Sequence, residues 1–238
     1  MSTPSPRSSR TSRTSSSRAR RPAHGGPCTA ARERPAPFPL GLSSAQQRKA
    51  IRHAHIRHRD QRPPGGSGDT ERGTQTAVAA FLPRQKALLD SLRALDVPVI
   101  HLQLVVSDDD PRNATTPDEL RYTRGSVGVR LLDETLAESD LVIEKPKDSG
   151  FFETTLDETL KKLGVDTVII SGMQAQICVQ TTAADAHFRG YRVVIPTDCI
   201  VSSNPEDTQQ ALKWMSEYFA TLLPSVEIEQ LVRAGRDE

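Results

Sequence analysis

Between Asp166 and Ser202 the hydrophobic pattern of the chain changes period twice. Thr167-Val-Ile-Ile170 is a β-branched run without alternation, which is how a strand covered on both faces reads. Gly172 breaks it. After a polar turn, Cys178, Val179, Thr182, Ala183 and Ala186 recur three and four residues apart, the spacing of a helix with one buried face. Gly190 supplies a C-terminal stop, and Arg192 to Ile195 opens a second apolar strand. The three segments make one βαβ unit. In open α/β folds the turn after such a strand lies at the carboxyl edge of the sheet, where ligands gather. Cys178 sits in the first turn of the helix that leaves that edge.

The same periods run through the chain on either side. Phe81, Leu82, Leu88, Leu89, Leu92 and Leu95 predict a helix over 81–95, with Pro83 tolerable in its first turn. Val99 to Val106 reads as the next strand, and Leu141 to Glu144 as a short one. Glu153 to Leu163 is helical up to Gly164. Asn204-Pro205 is a cap followed by proline at the first helical position, and Ala211, Leu212, Met215, Phe219 and Leu222 carry that helix to about Leu223. Val226 to Ile228 is short enough for an edge strand. The alternation predicts an α/β fold of three αβα layers with a mostly parallel, Rossmann-like sheet.

Charge separates the chain into two parts. Residues 1–62 hold 14 Lys and Arg against two acids, Glu33 and Asp60, so the remainder holds 17 against 28. Up to Arg62 the text is Ser, Arg, Pro and His with few aliphatics, too little apolar surface to offset chain entropy. We expect a disordered basic arm and a Gly/Pro loop over 1–75, a folded domain over 76–232 and a charged end over 233–238. For the arm, a solvated tail without function is favoured over a mitochondrial presequence or salt-sensitive, unspecific nucleic-acid binding. Three sparse cysteines imply no disulfide framework and fit a reducing, cytoplasmic setting, with the mitochondrion as alternative. No apolar run in the sequence approaches a membrane span.

Few side chains offer chemistry. A lone Cys between Ile177 and Val179 is by residue type more often a core thiol than a nucleophile, although a helix N-terminus stabilises a thiolate. His101, inside a strand, reads as a satisfied core or edge residue. Asp108 to Asp110, in the irregular segment from Ser107 to Arg124, invite a metal reading that we discount, because consecutive acids in a loop rarely converge on one ion.

Two blocks change that balance. Gly172-Met-Gln-Ala-Gln-Ile-Cys178-Val, followed by Thr182-Ala, Asp185-Ala, Gly190-Tyr and Thr197-Asp198, closely resembles the nucleophile segment of isochorismatase-like cysteine hydrolases. Ile143-Glu-Lys145-Pro-Lys147-Asp-Ser149-Gly-Phe151-Phe-Glu-Thr154-Thr-Leu156 matches the same family's lysine block at the right spacing. The resemblance covers roughly Phe81 to Val232. It implies a three-layer fold and a small-molecule substrate, cleaved at an amide, ureido or carbamoyl carbonyl through an acyl-enzyme. A homo-oligomer is also expected. Carried over, Cys178 is the nucleophile, Lys145 stabilises its thiolate, and the N–H groups of Gln174 and Cys178 form the oxyanion hole. A cis peptide falls between Met173 and Gln174, and Met173 and Phe151 border the substrate. The cysteine argues against vinyl-ether hydrolysis, since members with that activity lack it. The family's nicotinamidase branch binds a metal through an aspartate and two histidines after the second strand. No histidine pair lies there, so we expect neither metal nor cofactor, and nicotinamide is a less favoured substrate.

The family's third catalytic residue is an aspartate ending the first, central strand. By distance that slot falls near Asp60. Ile51-Arg-His-Ala-His-Ile-Arg-His-Arg, however, is not the text of a doubly covered strand, because buried cations are costly. A one-nucleotide shift through CGN arginine codons at 57–61 would write a strand-like text there without restoring an aspartate. We therefore expect residues 1–62 to supply no good central strand, leaving a poorly stable chain whose base is absent or at best Asp60. The competing functions are an impaired relative acting as a binding or assembly subunit and, more remotely, a nucleic-acid binder using the arm.

Overall fold

The computed structural model describes residues 50–55, 68–114, 116, 118 and 121–237, with side chains over 76–114, 116, 118 and 121–235. Asp60 and the rest of 56–67 lie outside the described residues. In chain order the elements are β1 (Ala50–His55), α1 (Gly68–Arg93), β2 (Val99–Leu104), β3 (Leu141–Lys145), α2 (Leu156–Lys162), β4 (Thr167–Met173), α3 (Gln180–Phe188), β5 (Arg192–Pro196), β6 (Ile200–Val201), α4 (Pro205–Tyr218), β7 (Ala220–Leu223) and α5 (Ser225–Asp237). The seven strands form one sheet in the order β3-β2-β1-β4-β5-β7, with β6 pairing the end of β4, and every pairing is parallel.

The central strand corrects the sequence expectation. Ala50–His55 fills the slot between β2 and β4, in register from Ala50↔Thr167 to His55↔Gly172 on one side and from Arg52↔Val99 to Ala54↔His101 on the other. The expectation weighed side-chain polarity alone. Six residues with neither proline nor glycine can supply every ladder N–H and C=O, and without them two parallel edges would open at the centre of the sheet.

Both faces of the sheet are covered, and the alternation of side chains along β4 and β5 shows it. Val168, Ile170, Val193 and Ile195 pack with Leu156 and Leu160 of α2, Ala183 and Ala186 of α3, and Ala211 and Met215 of α4. Ile169 and Val194 point the other way, into Leu88 and Leu92 of α1 and Ile228 and Val232 of α5. Each such side chain contributes about 1.5–3 kcal/mol on burial, so two complete apolar layers hold the parallel sheet.

Several element boundaries differ from the reading by period. Helix α1 begins at Gly68 and carries Pro83 in its interior. Its early turns show little apolar signal, so periodicity found only the buried part. β4 continues through Gly172, which adopts φ +119, to Met173. Ala220–Leu223, read as helix, is the edge strand beside β5, and Val226 to Ile228 belongs to helix α5. Short apolar runs do not distinguish strand from helix. Ile228 and Val232, four residues apart, mark a helix stripe. The Asn204 cap holds as read, its side chain accepting the Glu206 N–H. Among the described residues no helix is long and apolar enough to cross a membrane.

His101, wholly buried in β2, meets a carboxylate: its Nε2 lies 2.9 Å from Asp140 Oδ2. Asp140, 1% exposed, also accepts Arg93 Nε at 3.0 Å and Nη2 at 2.6 Å, and the Ala137 N–H at 3.0 Å. Burial alone would push its carboxyl up, but the hydrogen bonds from Arg93, His101 and Ala137 outweigh burial and hold it below the usual range.

Asp140→Asn should cost about 3 kcal/mol at pH 7, because Arg93 and His101 lose their anion. A carboxyl held low in the folded state stabilises above its unfolded value of about 3.9 and loses that effect as pH falls through the folded value. The gap between wild type and variant should therefore shrink below about pH 4, as measured by denaturant unfolding across pH.

Candidate active site

Three segments meet at the carboxyl edge of the sheet: the end of β3, the turn between β4 and α3, and the loop after β2. Lys145, last residue of β3, is fully buried rather than solvated. Its Nζ donates to the Asp148 carbonyl at 2.5 Å. Burying an ammonium is costly unless oxygens replace its water, and the 146–150 segment folds back to provide one.

Cys178 is buried in a π-helical turn, Ala175–Val179, that feeds directly into α3. The peptide bond from Met173 to Gln174 is cis, as the resemblance implied. The Gln174 carbonyl accepts the N–H groups of Ile177 at 3.2 Å and Val179 at 3.1 Å, which closes the turn. The Cys178 thiol donates to Asp148 Oδ1 at 3.7 Å, an ordinary length for sulfur. Thiol and lysine thus meet at one residue, Asp148, the first through its carboxylate and the second through its carbonyl.

The turn is held from outside by residues that sequence reasoning missed. β6 pairs Gly172 and Met173 and delivers Ser202 and Ser203 to the turn. Ser202 Oγ accepts the Ala175 N–H at 3.1 Å and donates to Gln176 Oε1 at 2.6 Å. The Gln174 amide grips Ser203 twice, Nε2 donating to its Oγ and Oε1 accepting its N–H, both at 2.9 Å. Gln176 Nε2 reaches Asp207 on α4 at 3.1 Å. The one signal in the sequence was a polar Ser-Ser pair directly after the apolar pair Ile200-Val201.

From the loop after β2, Arg112 reaches the same place. Its Nη1 lies 3.2 Å from Asp148 Oδ1, while Nε and Nη2 fork onto Asp110 at 2.9 and 3.1 Å. Lys147 Nζ adds a contact to Asp110 at 3.2 Å. The Arg112 hydrogen bond, stronger than the opposing burial, holds the Asp110 carboxyl well below the usual range. The Asp110 hydrogen bond in turn raises Arg112. Asp110 is therefore an arginine clamp, and Asp108 and Asp109 are exposed. Among the described residues no group of three or more His, Cys, Asp or Glu converges on a common point.

The two sequence blocks are stitched together behind the site. Ser149 Oγ donates to Asp185 at 2.7 Å, and the Gly150 N–H to Thr182 Oγ1 at 3.0 Å. Phe151 stacks on Tyr191, ring centroids 6.0 Å apart, with Arg189 Cζ 5.0 Å from the Phe151 centroid. Phe151 packs in the main core, where an aromatic ring gains most from burial. Met173 is buried beside the turn, and Gln174 lies in it. The arrangement offers a thiol at a helix N-terminus, a buried ammonium, a carboxylate on the sulfur and backbone N–H donors, the parts of covalent acyl transfer.

Comparisons with known proteins agree with this geometry. The isochorismatase domain matches residues 69–227. The chain is 45% identical over 78 residues to the uncharacterized isochorismatase family protein YaaI of Bacillus subtilis, a match spanning 33% of this chain and 43% of that relative's length. It is 28% identical over 158 residues to the secreted isochorismatase effector Isc1 of Verticillium dahliae, covering 63% of this chain and 78% of that one. Among solved structures, a cysteine hydrolase from Pseudomonas syringae pv. phaseolicola superposes with a TM-score of 0.65 at 20% identity, covering 79% of this chain and 94% of that one. The N-carbamoylsarcosine amidase of Thermoplasma acidophilum gives 0.59 at 26% identity, covering 74% and 96%.

Gly150 tests the stitching. A Cβ there would lie 1.8 Å from Leu102 Cδ1 and 3.2 Å from Leu156 and Thr182 side chains. Gly150→Ala should cost about 1–3 kcal/mol by overpacking, whereas Phe152→Ala, at a ring 45% exposed, should stay within about 0.5 kcal/mol. Urea unfolding of the two variants measures the difference.

Proposed function

The chain belongs to the isochorismatase family, and from that premise we propose that it hydrolyses a small amide, ureido or carbamoyl compound through a thioester on Cys178. The observation that carries the reading is the meeting of the Cys178 thiol and the buried Lys145 ammonium on Asp148, at the mouth of a turn that opens a helix. The sulfur attacks the carbonyl carbon, and Lys145 offsets negative charge as it does so. The N–H groups of Gln174 and Cys178 are the proposed donors to the developing oxyanion, which is stabilised by dipoles fixed before reaction. Loss of the amine leaves a thioester that water cleaves. The N-carbamoylsarcosine amidase among the structural neighbours supports a C–N substrate class.

Cys178→Ala should lower hydrolysis of responsive amides by at least about 10³-fold without moving the unfolding midpoint, since only the nucleophile is removed. Iodoacetamide should label Cys178 ahead of Cys28 and Cys199; preferential labelling of either of those would refute the assignment. Lys145→Met should slow alkylation of Cys178 at pH 7 roughly tenfold or more, through loss of an adjacent positive charge. Activity should also be unchanged by prolonged incubation with EDTA, and a loss restored by zinc would overturn the metal-free reading.

A further inference from the structure

We propose that Asp148 is the proton carrier of the reaction, taking the proton of Cys178 and delivering it to the departing nitrogen. This deepens the hydrolase reading and rests on it. Nothing in the lysine block marked Asp148 for chemistry, and the structure places its carboxylate on the sulfur.

The geometry is that of a held base. Asp148 Oδ1 accepts from Cys178 Sγ at 3.7 Å and from Arg112 Nη1 at 3.2 Å. Arg112 cannot drift, because the buried Asp110 grips it with both oxygens and the Pro146 carbonyl accepts its Nη2 at 3.4 Å. The Asp148 backbone is fixed separately, its carbonyl accepting Lys145 Nζ at 2.5 Å and Thr182 Oγ1 at 3.5 Å. A group aimed from the loop after β2, a strand end and a helix at once is positioned within hydrogen-bond reach of the proton it must take. Its side chain is also 41% exposed, so water can reach the same carboxylate.

Charge balance favours the transfer. The described charged groups around the sulfur are Lys145 at the end of β3, Arg112 and Asp110 from the loop after β2, and Lys147 and Asp148 between β3 and α2. Moving the proton from sulfur to Asp148 leaves the total unchanged. It also neutralises the carboxylate in contact with the sulfur, which would repel the new negative charge most, and leaves that charge to Lys145.

The steps close in atoms and electrons. As the Sγ–C bond forms, the S–H bond breaks to Asp148 Oδ1 and the carbonyl π pair moves onto oxygen. When the tetrahedral adduct collapses, the C–N bond breaks and the nitrogen leaves with that electron pair and the Asp148 proton, as amine or ammonia. Water then adds to the thioester and gives a proton to the regenerated carboxylate. The C–S bond breaks, and sulfur recovers that proton. The sum is an amide and water giving an acid and an amine, with no change of oxidation state.

Asp148→Asn keeps the backbone carbonyl that Lys145 uses and removes only the proton acceptor, so the full-length variant is compared with wild type, Asp148→Glu and Asp60→Asn. We expect Asp148→Asn to be alkylated by iodoacetamide faster than wild type at pH 7, because the thiolate loses a like-charged neighbour. It should form the acyl-enzyme from p-nitrophenyl acetate at no less than the wild-type rate, because that leaving group needs no proton. Turnover of any amide cleaved by wild type should fall about 10²–10⁴-fold, and Asp148→Glu should recover part of it. A merely structural role would lower ester and amide together. That outcome, amide turnover within threefold of wild type, unchanged alkylation, or amide-selective loss in Asp60→Asn alone would each overturn the proposal. If wild type accepts the ester but cleaves no amide, the amide reading fails. The alkylation rate of Asp148→Asn then still decides whether the carboxylate holds the thiol proton.

Discussion

An ammonium group with no exposure to solvent has to be met by oxygens, and the burial of Lys145 sets the shape of everything around it. The chain leaves β3, turns back within three residues, and presents the Asp148 carbonyl to Nζ. That reversal carries the Asp148 carboxylate onto the cysteine and brings Gly150 against Leu102, where no side chain fits. It also launches α2 from Thr154, whose hydroxyl donates to the Gly150 carbonyl and accepts the Leu156 N–H. One desolvated charge therefore links the carboxyl edge of the sheet to the apolar layer beneath it.

Two blocks of sequence that resemble one family are, in space, one object. Ser149 to Asp185, Gly150 to Thr182 and Phe151 to Tyr191 are cross-links between the lysine segment and the segment that follows Cys178. Tyr191 closes the set by donating to Asp157 at 2.9 Å; burial and then that carboxylate hold its phenol above the ordinary range. The separation in sequence reflects chain connectivity alone.

Much of this was legible beforehand, and the exceptions have physical reasons. β4, α3 and β5 could be read because both their faces or one clear stripe are apolar, and Lys145, Cys178 and the turn from Met173 came from motif and spacing. Ala50–His55 was not, because its place in the sheet rests on backbone pairing between two flanking strands, which composition does not show. The C-terminal strand and helix were interchanged because runs of three or four apolar residues fit either period. Arg112, Asp148, Ser202 and Ser203 escaped notice because each acts through a partner far along the chain.

The pairing of β6 with the tail of β4 has a consequence in time as well as in space. The ribosome delivers the Cys178 turn some 25 residues before Ser202 and Ser203, which hold its Gln174, Ala175 and Gln176. A nascent chain that has just released Cys178 already carries the lysine block, yet lacks the two serines that hold the turn from outside. The site becomes set only when the two-residue strand docks and Thr208, on the following helix, accepts the Ser202 N–H. Synthesis thus separates the appearance of Cys178 from the completion of the frame around it.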